Sequence, residues 1–340
     1  MLDLPKRIEA FSRLGSWLKE TLADKDSEQY LELEQIISKA NIQNGWFTPK
    51  ESLFALNYWA TVLKADLLSD WLKSYSIKTH QQKEVLLILA GNIPLVGFHD
   101  VVSTILSGQK ALIKCSSSDN VLIPLLLKKL VEFEGEMYSF YQLVNGPSKT
   151  FDAVIATGSG NSARHFEEYF GHVPNIIRRN RTSVALLDGS ERSIDLDGLM
   201  EDAFRYYGLG CRNVSKLYLP KGYDLNDVFK ASLPFAYLMD NKKYVNNYTY
   251  QKAVMMMEQK KILENELILM HENTAIFAPV SVLNYEFYEN QDTINQQLEQ
   301  NKHTIQCVVG KNHIPFGRAQ QPALHDYADG VDTLELLVNL

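Results

Sequence analysis

A cysteine, an asparagine and a lysine stand in this chain beside glycines or at the ends of apolar runs, where their chemistry could be used. Cys211 is the centre of the stretch Tyr206 to Pro220. It lies between a helix-like run ending at Gly208 and Gly210 and a run, Val214 to Leu219, that alternates like a strand. A thiol on such a turn can attack a carbonyl, because the glycines let a substrate approach the backbone and the N–H groups after them are placed to donate to a developing oxyanion. The same residues also describe a small apolar side chain closing a helix with glycine caps. Asn92, in Gly91-Asn92-Ile93-Pro94, offers an amide that is either an oxyanion donor or a turn former ahead of proline. Thr157-Gly158-Ser159-Gly160 opens a helical run with short residues and glycines. N–H donors and the positive end of a helix dipole gather there, as a pyrophosphate requires, although many such turns hold no ligand.

The elements that must carry these residues can be read from apolar periodicity. Glu84 to Ala90 is a short, nearly continuous apolar run, as expected of a parallel strand buried on both faces. The Asn92 turn follows, then a helical period over Phe98 to Leu106 and a second apolar run, Ala111 to Ile113, closed by Lys114, which together spell a βαβ unit. A helix over Leu122 to Phe133 and strands over Tyr138 to Val144, Ala153 to Ala156 and Ser183 to Leu187 continue it. Before it, residues 1–80 read as helices, with Thr48-Pro49-Lys50-Glu51 as a helix start. After it, a helical stripe from Leu196 to Phe204 delivers Cys211. Helices over Asp224 to Lys230 and Tyr250 to Leu263, a strand over Ala275 to Leu283 bent by Pro279, a helix over Ile294 to Leu298 and a strand over Thr304 to Val309 are expected beyond it.

Composition narrows the function classes. With 340 residues, 45% hydrophobic and 22% charged, the chain has the profile of a folded globular protein of two lobes. A net charge of −7 and a single short basic cluster, Arg178, Arg179 and Arg181, argue against a nucleic-acid partner. No apolar run approaches a membrane span, and the N-terminus lacks the apolar stretch of a secretory signal, so a cytoplasmic protein is expected. Three widely spaced cysteines suit reduced thiols; Cys115 and Cys307 are expected to be buried and inert at strand positions. His99, His165 and His172 lack metal-ligand spacing, so no metal site is expected, and Met255 to Met257 read as core.

Four segments, in this order, resemble the aldehyde dehydrogenase superfamily. Gly91-Asn92-Ile93-Pro94-Leu95 is similar to its Trp-Asn-Phe-Pro-Leu turn and Lys114-Cys115-Ser116 to its Lys-Pro-Ser element; Thr157-Gly158-Ser159 is similar to its phosphate turn and Gly208-Leu209-Gly210-Cys211 to its Gly-Gln-x-Cys nucleophile segment. Within that superfamily the run from Gly91 to Asp100, with Leu106-Ser107-Gly108 and Lys114 after it, resembles the LuxC-type acyl-CoA reductases, typified by the fatty-acid reductase component of bacterial bioluminescence. The likeness extends from about residue 84 to about residue 330.

The resemblance implies an α/β fold, aldehyde-dehydrogenase-like. It would comprise a helical N-terminal segment over 1–80, a Rossmann-type parallel-sheet cofactor domain over 81–190 and an α/β catalytic domain over 191–310, with a tail over 311–340 packing back on the cofactor domain or on an oligomer partner. It implies Cys211 as nucleophile and Asn92 as oxyanion donor beside a backbone N–H at Cys211. Lys114 would reach the adenosine ribose, Ser116 and Ser117 would stand where an acid would select a free 2′-hydroxyl, and Thr157, Gly158 and Ser159 would bracket the pyrophosphate. After Lys114 no acid appears until Asp119, which favours NADPH over NADH. Where the oxidative enzymes carry a glutamate that activates water, Ile176 to Thr182 has no carboxylate, which suits reduction of an acyl thioester such as acyl-CoA to an aldehyde. Aldehyde oxidation or acyl-phosphate reduction on the same fold, and a non-catalytic dinucleotide-binding subunit, are the alternatives; a homo-oligomer is possible.

Overall fold

Asp3 accepts the Lys6 N–H at 3.0 Å, and this cap with Pro5 behind it starts α1 (Leu4–Ala23), whose buried stripe is Phe11, Leu14 and Leu18. α2 (Glu28–Gln43), α3 (Pro49–Val62) and α4 (Ala65–Leu72) follow, α3 starting at Pro49 with Thr48 as its N-cap. In this computed structural model the described residues are 2–77, 81–146, 150–158 and 160–340. They divide into two units, residues 1–179 with 323–340 and residues 180–322.

The first unit is built on a sheet of β1 (Glu84–Ile88), β2 (Lys110–Lys114), β3 (Tyr141–Leu143), β4 (Ala153–Thr157) and β5 (Asn175–Arg178) in the order β3-β2-β1-β4-β5, every pair parallel. α5 (Phe98–Ser107), α6 (Leu122–Phe133) and α7 (Gly160–Phe170) connect them. Val85, Leu86 and Leu87 are all fully buried, as a strand covered on both faces demands. The order reverses direction at β1, so the carboxyl ends of β1 and β4 bound the crevice where open parallel sheets take ligands. The strand expected from Tyr138 is shorter: Gly135–Phe140 is a 3₁₀ turn that buries Met137 and Phe140 three residues apart, leaving only Tyr141–Leu143 extended.

The second unit carries β6 (Thr182–Leu186), α8 (Ser193–Phe204), β7 (Val214–Pro220), α9 (Leu225–Ser232), α10 (Lys242–Met257), β8 (Ile262–Glu264), β9 (Leu269–Glu272), β10 (Val282–Tyr288), α11 (Gln291–Gln300) and β11 (Ile305–Gly310). Its sheet runs β11-β6-β7-β10-β9-β8, with only β8 antiparallel to its neighbour. The strand read at Ser183 therefore belongs to this sheet, and the change of unit falls after Arg179 rather than at 190. α10 begins eight residues before the expected Tyr250. Its cap is Asn241, which accepts the Lys243 N–H at 2.9 Å, and Ile262 and Leu263 leave the helix for β8. Of the three methionines read as core, Met255 is buried, whereas Met256 and Met257 are 60% and 84% exposed.

The bent strand expected from Ala275 pairs as a strand only from Val282. Side chains of the sheet hold that run's carbonyls instead: Lys216 Nζ donates to Thr274 at 2.8 Å, Ser215 Oγ to Ile276 at 2.7 Å, and Asn284 Nδ2 to Ala275 and Phe277 at 3.0 Å. Lys216 is completely buried and is paired with Glu286 at 2.5 Å, so its charge is not left unmatched.

The chain then returns to the first unit, where α12 (Thr333–Val338) packs on α5. Arg178 at the end of β5 grips Asp100 of α5 with both terminal nitrogens, at 2.5 and 2.8 Å, and reaches Thr333 Oγ1 at 2.9 Å. The basic cluster is thereby consumed by structure: Arg178 is buried, Arg179 pairs with Glu167 at 2.6 Å, and Arg181 donates to the Lys302 carbonyl at 3.3 Å. Among the described residues no helix is long and apolar enough to cross a membrane, and no group of three or more His, Cys, Asp or Glu side chains is placed to hold a metal ion.

Candidate active site

Two groups of residues on different units make up the expected site. In the second unit α8 ends at Phe204, and the chain then passes through three consecutive left-handed residues, Tyr206 (φ 55°), Tyr207 (φ 59°) and Gly208 (φ 76°), before reaching Cys211. Two non-glycine residues in this region are each strained by about 1–3 kcal/mol, and such strain persists only where the surroundings impose it. Here the imposing group is Asn213, which is 2% exposed. Its Oδ1 accepts the Gly210 N–H at 2.7 Å, and its Nδ2 donates to the carbonyls of Asp202, Ala203 and Arg205 at 3.0, 3.2 and 2.8 Å.

Cys211 is half-buried in this turn, and its carbonyl accepts from Ser183 Oγ at 3.0 Å. One expectation changes. The amides after the glycines are not generally available, because Leu209 donates to Tyr206, Gly210 to Asn213 Oδ1 and Asn213 to the Gly210 carbonyl. Below the turn, Asp202 is completely buried and accepts the N–H groups of Gly317 and Ala319 at 2.7 and 2.8 Å; burial nevertheless pushes its carboxyl up to about 7.

The other group lies at the carboxyl ends of β1, β2 and β4 in the first unit. Asn92 is exposed on the turn after β1. Lys114 ends β2 opposite Ile88 and is half-buried, Ser116 is half-buried and Ser117 exposed on the loop beyond it. Thr157 ends β4, and Gly158, whose N–H donates to the Arg178 carbonyl at 3.3 Å, leads into α7. Ser159 lies outside the described residues. The structure thus brings Asn92, Lys114, Ser116, Ser117, Thr157 and Gly158 to one edge of one sheet, and puts Cys211 in the other unit.

Three participants were not expected from the sequence. Asp119 accepts the Leu95 N–H at 2.9 Å and is buried, so the first acid after β2 is turned inward. Gln43, at the end of α2, donates to the Ser117 carbonyl at 2.6 Å, and Asn44 Nδ2 lies 3.5 Å from the carbonyls of both Gly91 and Ser118. The helical segment therefore braces the Asn92 turn and the Ser116–Ser118 loop. An amide just past a helix end is the faint signal these residues leave in a sequence. Cys115 lies just past β2 and is half-buried rather than inside the strand; burial pushes its thiol up to about 11. Cys307 is buried in β11 with its sulfur 3.0 Å from Ser183 Oγ. His99 Nε2 donates to the Leu324 carbonyl at 2.8 Å, and the ring packs against Trp71 and Tyr327, a structural role.

A family model described as acyl-CoA reductase (LuxC) matches residues 64–164, the stretch holding the Asn92 turn, the Lys114 loop and β4. This segment is similar to the LuxC family. No curated protein sequence matches the chain. Solved structures share the fold of this chain at low identity. Aldehyde dehydrogenase 21 from Physcomitrella patens, in complex with succinate, is 12% identical with a TM-score of 0.67, over 92% of this chain and 74% of that one. An NAD-dependent benzaldehyde dehydrogenase from Corynebacterium glutamicum is 13% identical with a TM-score of 0.66, over 95% and 79%. Aldehyde dehydrogenase C from Pseudomonas syringae, solved with NAD+ and octanal, is 13% identical with a TM-score of 0.62, over 86% and 69%. The described residues therefore have the aldehyde dehydrogenase fold, and residues 64–164 are similar to the acyl-CoA reductase (LuxC) family.

Proposed function

We propose that the chain reduces an acyl thioester, acyl-CoA being the representative donor, to an aldehyde with NADPH. The observation that carries this reading is Cys211, a half-buried thiol on a strained turn that a buried asparagine holds in place. Cys211 attacks the acyl carbonyl, the amide of Asn92 and the Cys211 N–H stabilise the oxyanion, and expulsion of the CoA thiolate leaves the acyl group as a thioester on Cys211. When bound, the dinucleotide supplies the hydride that reduces this thioester. Collapse of the resulting thiohemiacetal returns the Cys211 thiolate and releases the aldehyde.

The donor set at the strand ends fits a dinucleotide. Lys114 brings a cation and Ser116 and Ser117 bring hydroxyls beyond β2, and Thr157-Gly158 leads to the start of α7, where backbone N–H groups suit a pyrophosphate. The inward-turned Asp119 supports NADPH, since the first acid after β2 is engaged with Leu95 and does not stand at the loop surface to repel a 2′-phosphate. The direction toward aldehyde is supported by Arg178, which stands in the segment where an oxidative enzyme would place its water-activating glutamate and is locked to Asp100.

The test is a panel of acyl-CoA, acyl phosphate and aldehyde substrates followed by NADPH or NADP+ absorbance, with intact-protein mass read before reduction. Acyl-CoA-dependent NADPH oxidation and a mass gain equal to the acyl group are expected. Turnover of aldehydes alone, with no acyl adduct from acyl-CoA, would overturn the reading.

A further inference from the structure

Resting on the proposed roles of Asn92 and the Ser116–Ser118 loop, we infer that Asp119 is a positioning residue that couples the Asn92 turn to the dinucleotide loop, so that the two are set as one piece. Asp119 is 3% exposed and spans the two segments. Its Oδ2 accepts the N–H of Leu95, three residues beyond Asn92, at 2.9 Å, while its own N–H donates to the Ser116 carbonyl at 3.1 Å. Ser116 Oγ in turn accepts the Ser118 N–H at 3.2 Å, and Ser116 and Asp119 form an isolated antiparallel bridge that folds the loop on itself. The two segments also touch directly: a Cβ on Gly91 would stand 2.5 Å from Ser116 Oγ and 3.2 Å from the Asp119 nitrogen, so only glycine admits this approach.

The arrangement is worse for stability than a simpler one would be. Leu95 is held at φ 59°, a left-handed conformation unfavourable to a leucine, and the carboxyl that holds it is itself buried, a costly place for an ionisable group. A rule of local stability broken twice at one contact, beside residues assigned to the oxyanion and the ribose, points to a geometry kept for function. With the Leu95 N–H fixed, the turn from Gly91 can present Asn92 in only a narrow range of orientations, and movement of the Ser116 loop is transmitted to it.

The test is a double-mutant cycle on the full chain. Asp119→Ala, Asn92→Ala and the double variant are assayed for kcat with acyl-CoA and for dinucleotide KM, with Asp119→Asn as the conservative variant. Asp119→Ala is expected to lower kcat about tenfold or more alone but by less than about threefold when Asn92 is already alanine, and to raise dinucleotide KM about tenfold in both backgrounds. Asp119→Asn keeps an oxygen for Leu95 and should stay within about threefold of wild type. Asp119→Glu, which keeps the charge and displaces the turn, serves the same cycle should the alanine variant not fold. Losses that multiply in the double variant, or an asparagine variant as impaired as alanine, would overturn the coupling while leaving the proposed function standing. Unchanged turnover in Asn92→Ala alone would instead remove the oxyanion assignment, and the coupling with it.

Discussion

Asn213 Oδ1 accepts the N–H of Gly210 at 2.7 Å, and by this bond the residue two places after the nucleophile holds the residue just before it. The same side chain takes the carbonyls of Asp202, Ala203 and Arg205, helix-end groups that have no donor within α8. Asn213→Ala should therefore lower stability by about 3 kcal/mol or more, since several buried polar groups lose their partner at once. Acyl transfer to Cys211 should slow at least about tenfold as the turn relaxes. Urea unfolding and the rate of mass gain from acyl-CoA check both, and an unchanged acylation rate would show that the turn forms without Asn213.

Only one of the three thiols should carry the acyl group. With its thiol pushed up to about 11 by burial, Cys115 is ionised in roughly one molecule in ten thousand at pH 7, and Cys307 is buried beside Ser183. Cys211→Ala is expected to abolish the covalent adduct, and Cys115→Ala and Cys307→Ala to retain it. An adduct persisting in Cys211→Ala, seen by intact-protein mass, would contradict the assignment.

Lys114 should read the extra phosphate of NADPH. Removing it is expected to weaken NADPH binding by about 1–3 kcal/mol more than NADH binding, the range for a charge-assisted hydrogen bond. Titration of both dinucleotides into wild type and Lys114→Ala measures the difference. Equal losses would mean that the ammonium does not face the phosphate, and tighter NADH binding by the wild type would reverse the cofactor preference.

Stability should fall as pH rises through the range from about 4 to about 7. Burial raises the carboxyls of both Asp119 and Asp202 to about 7, above the value of about 3.9 expected in the unfolded chain. In that window the folded state holds more protons than the unfolded one, so their contribution is full below the unfolded pKa and lost as pH climbs to the folded one. The stability of Asp119→Asn relative to wild type should accordingly rise with pH by up to about 1.4 kcal/mol per unit, then level off above pH 7. Urea midpoints of the pair at pH 5, 6, 7 and 8 test this, and a constant difference would show that Asp119 ionises normally in the fold.

Four of the five strands of the first unit's sheet were legible in the sequence, because parallel strands covered on both faces must be continuously apolar, as Val85 to Leu87 and Ala153 to Ala156 are; β5, which ends in Arg178, was not read as a strand. α10 was misjudged for the complementary reason: between Lys242 and Tyr250 its buried positions are only Tyr244 and Tyr248, so its first two turns show too thin a stripe to register as a helix. The expected strand from Ala275 to Leu283 forms only from Val282 onward, because the carbonyls of Ala275, Ile276 and Phe277, like that of Thr274 before them, are satisfied by Asn284, Ser215 and Lys216 side chains rather than by a neighbouring strand.

By itself the sequence determined the order of strands and helices over most of the chain and the glycine-bounded setting of Cys211. It also held the likeness of the Asn92, Lys114 and Thr157 segments to a reductase family, since these are properties of neighbouring residues. Tertiary structure alone decided that Arg178 would be spent on Asp100 and Thr333, 78 and 155 residues away along the chain, rather than on an anion. It alone turned Asp119 inward onto Leu95 and brought Gln43 to the Ser117 carbonyl, 74 residues away. A buried polar group must find a partner wherever the fold offers one, and nothing in its immediate neighbours along the chain says where that will be.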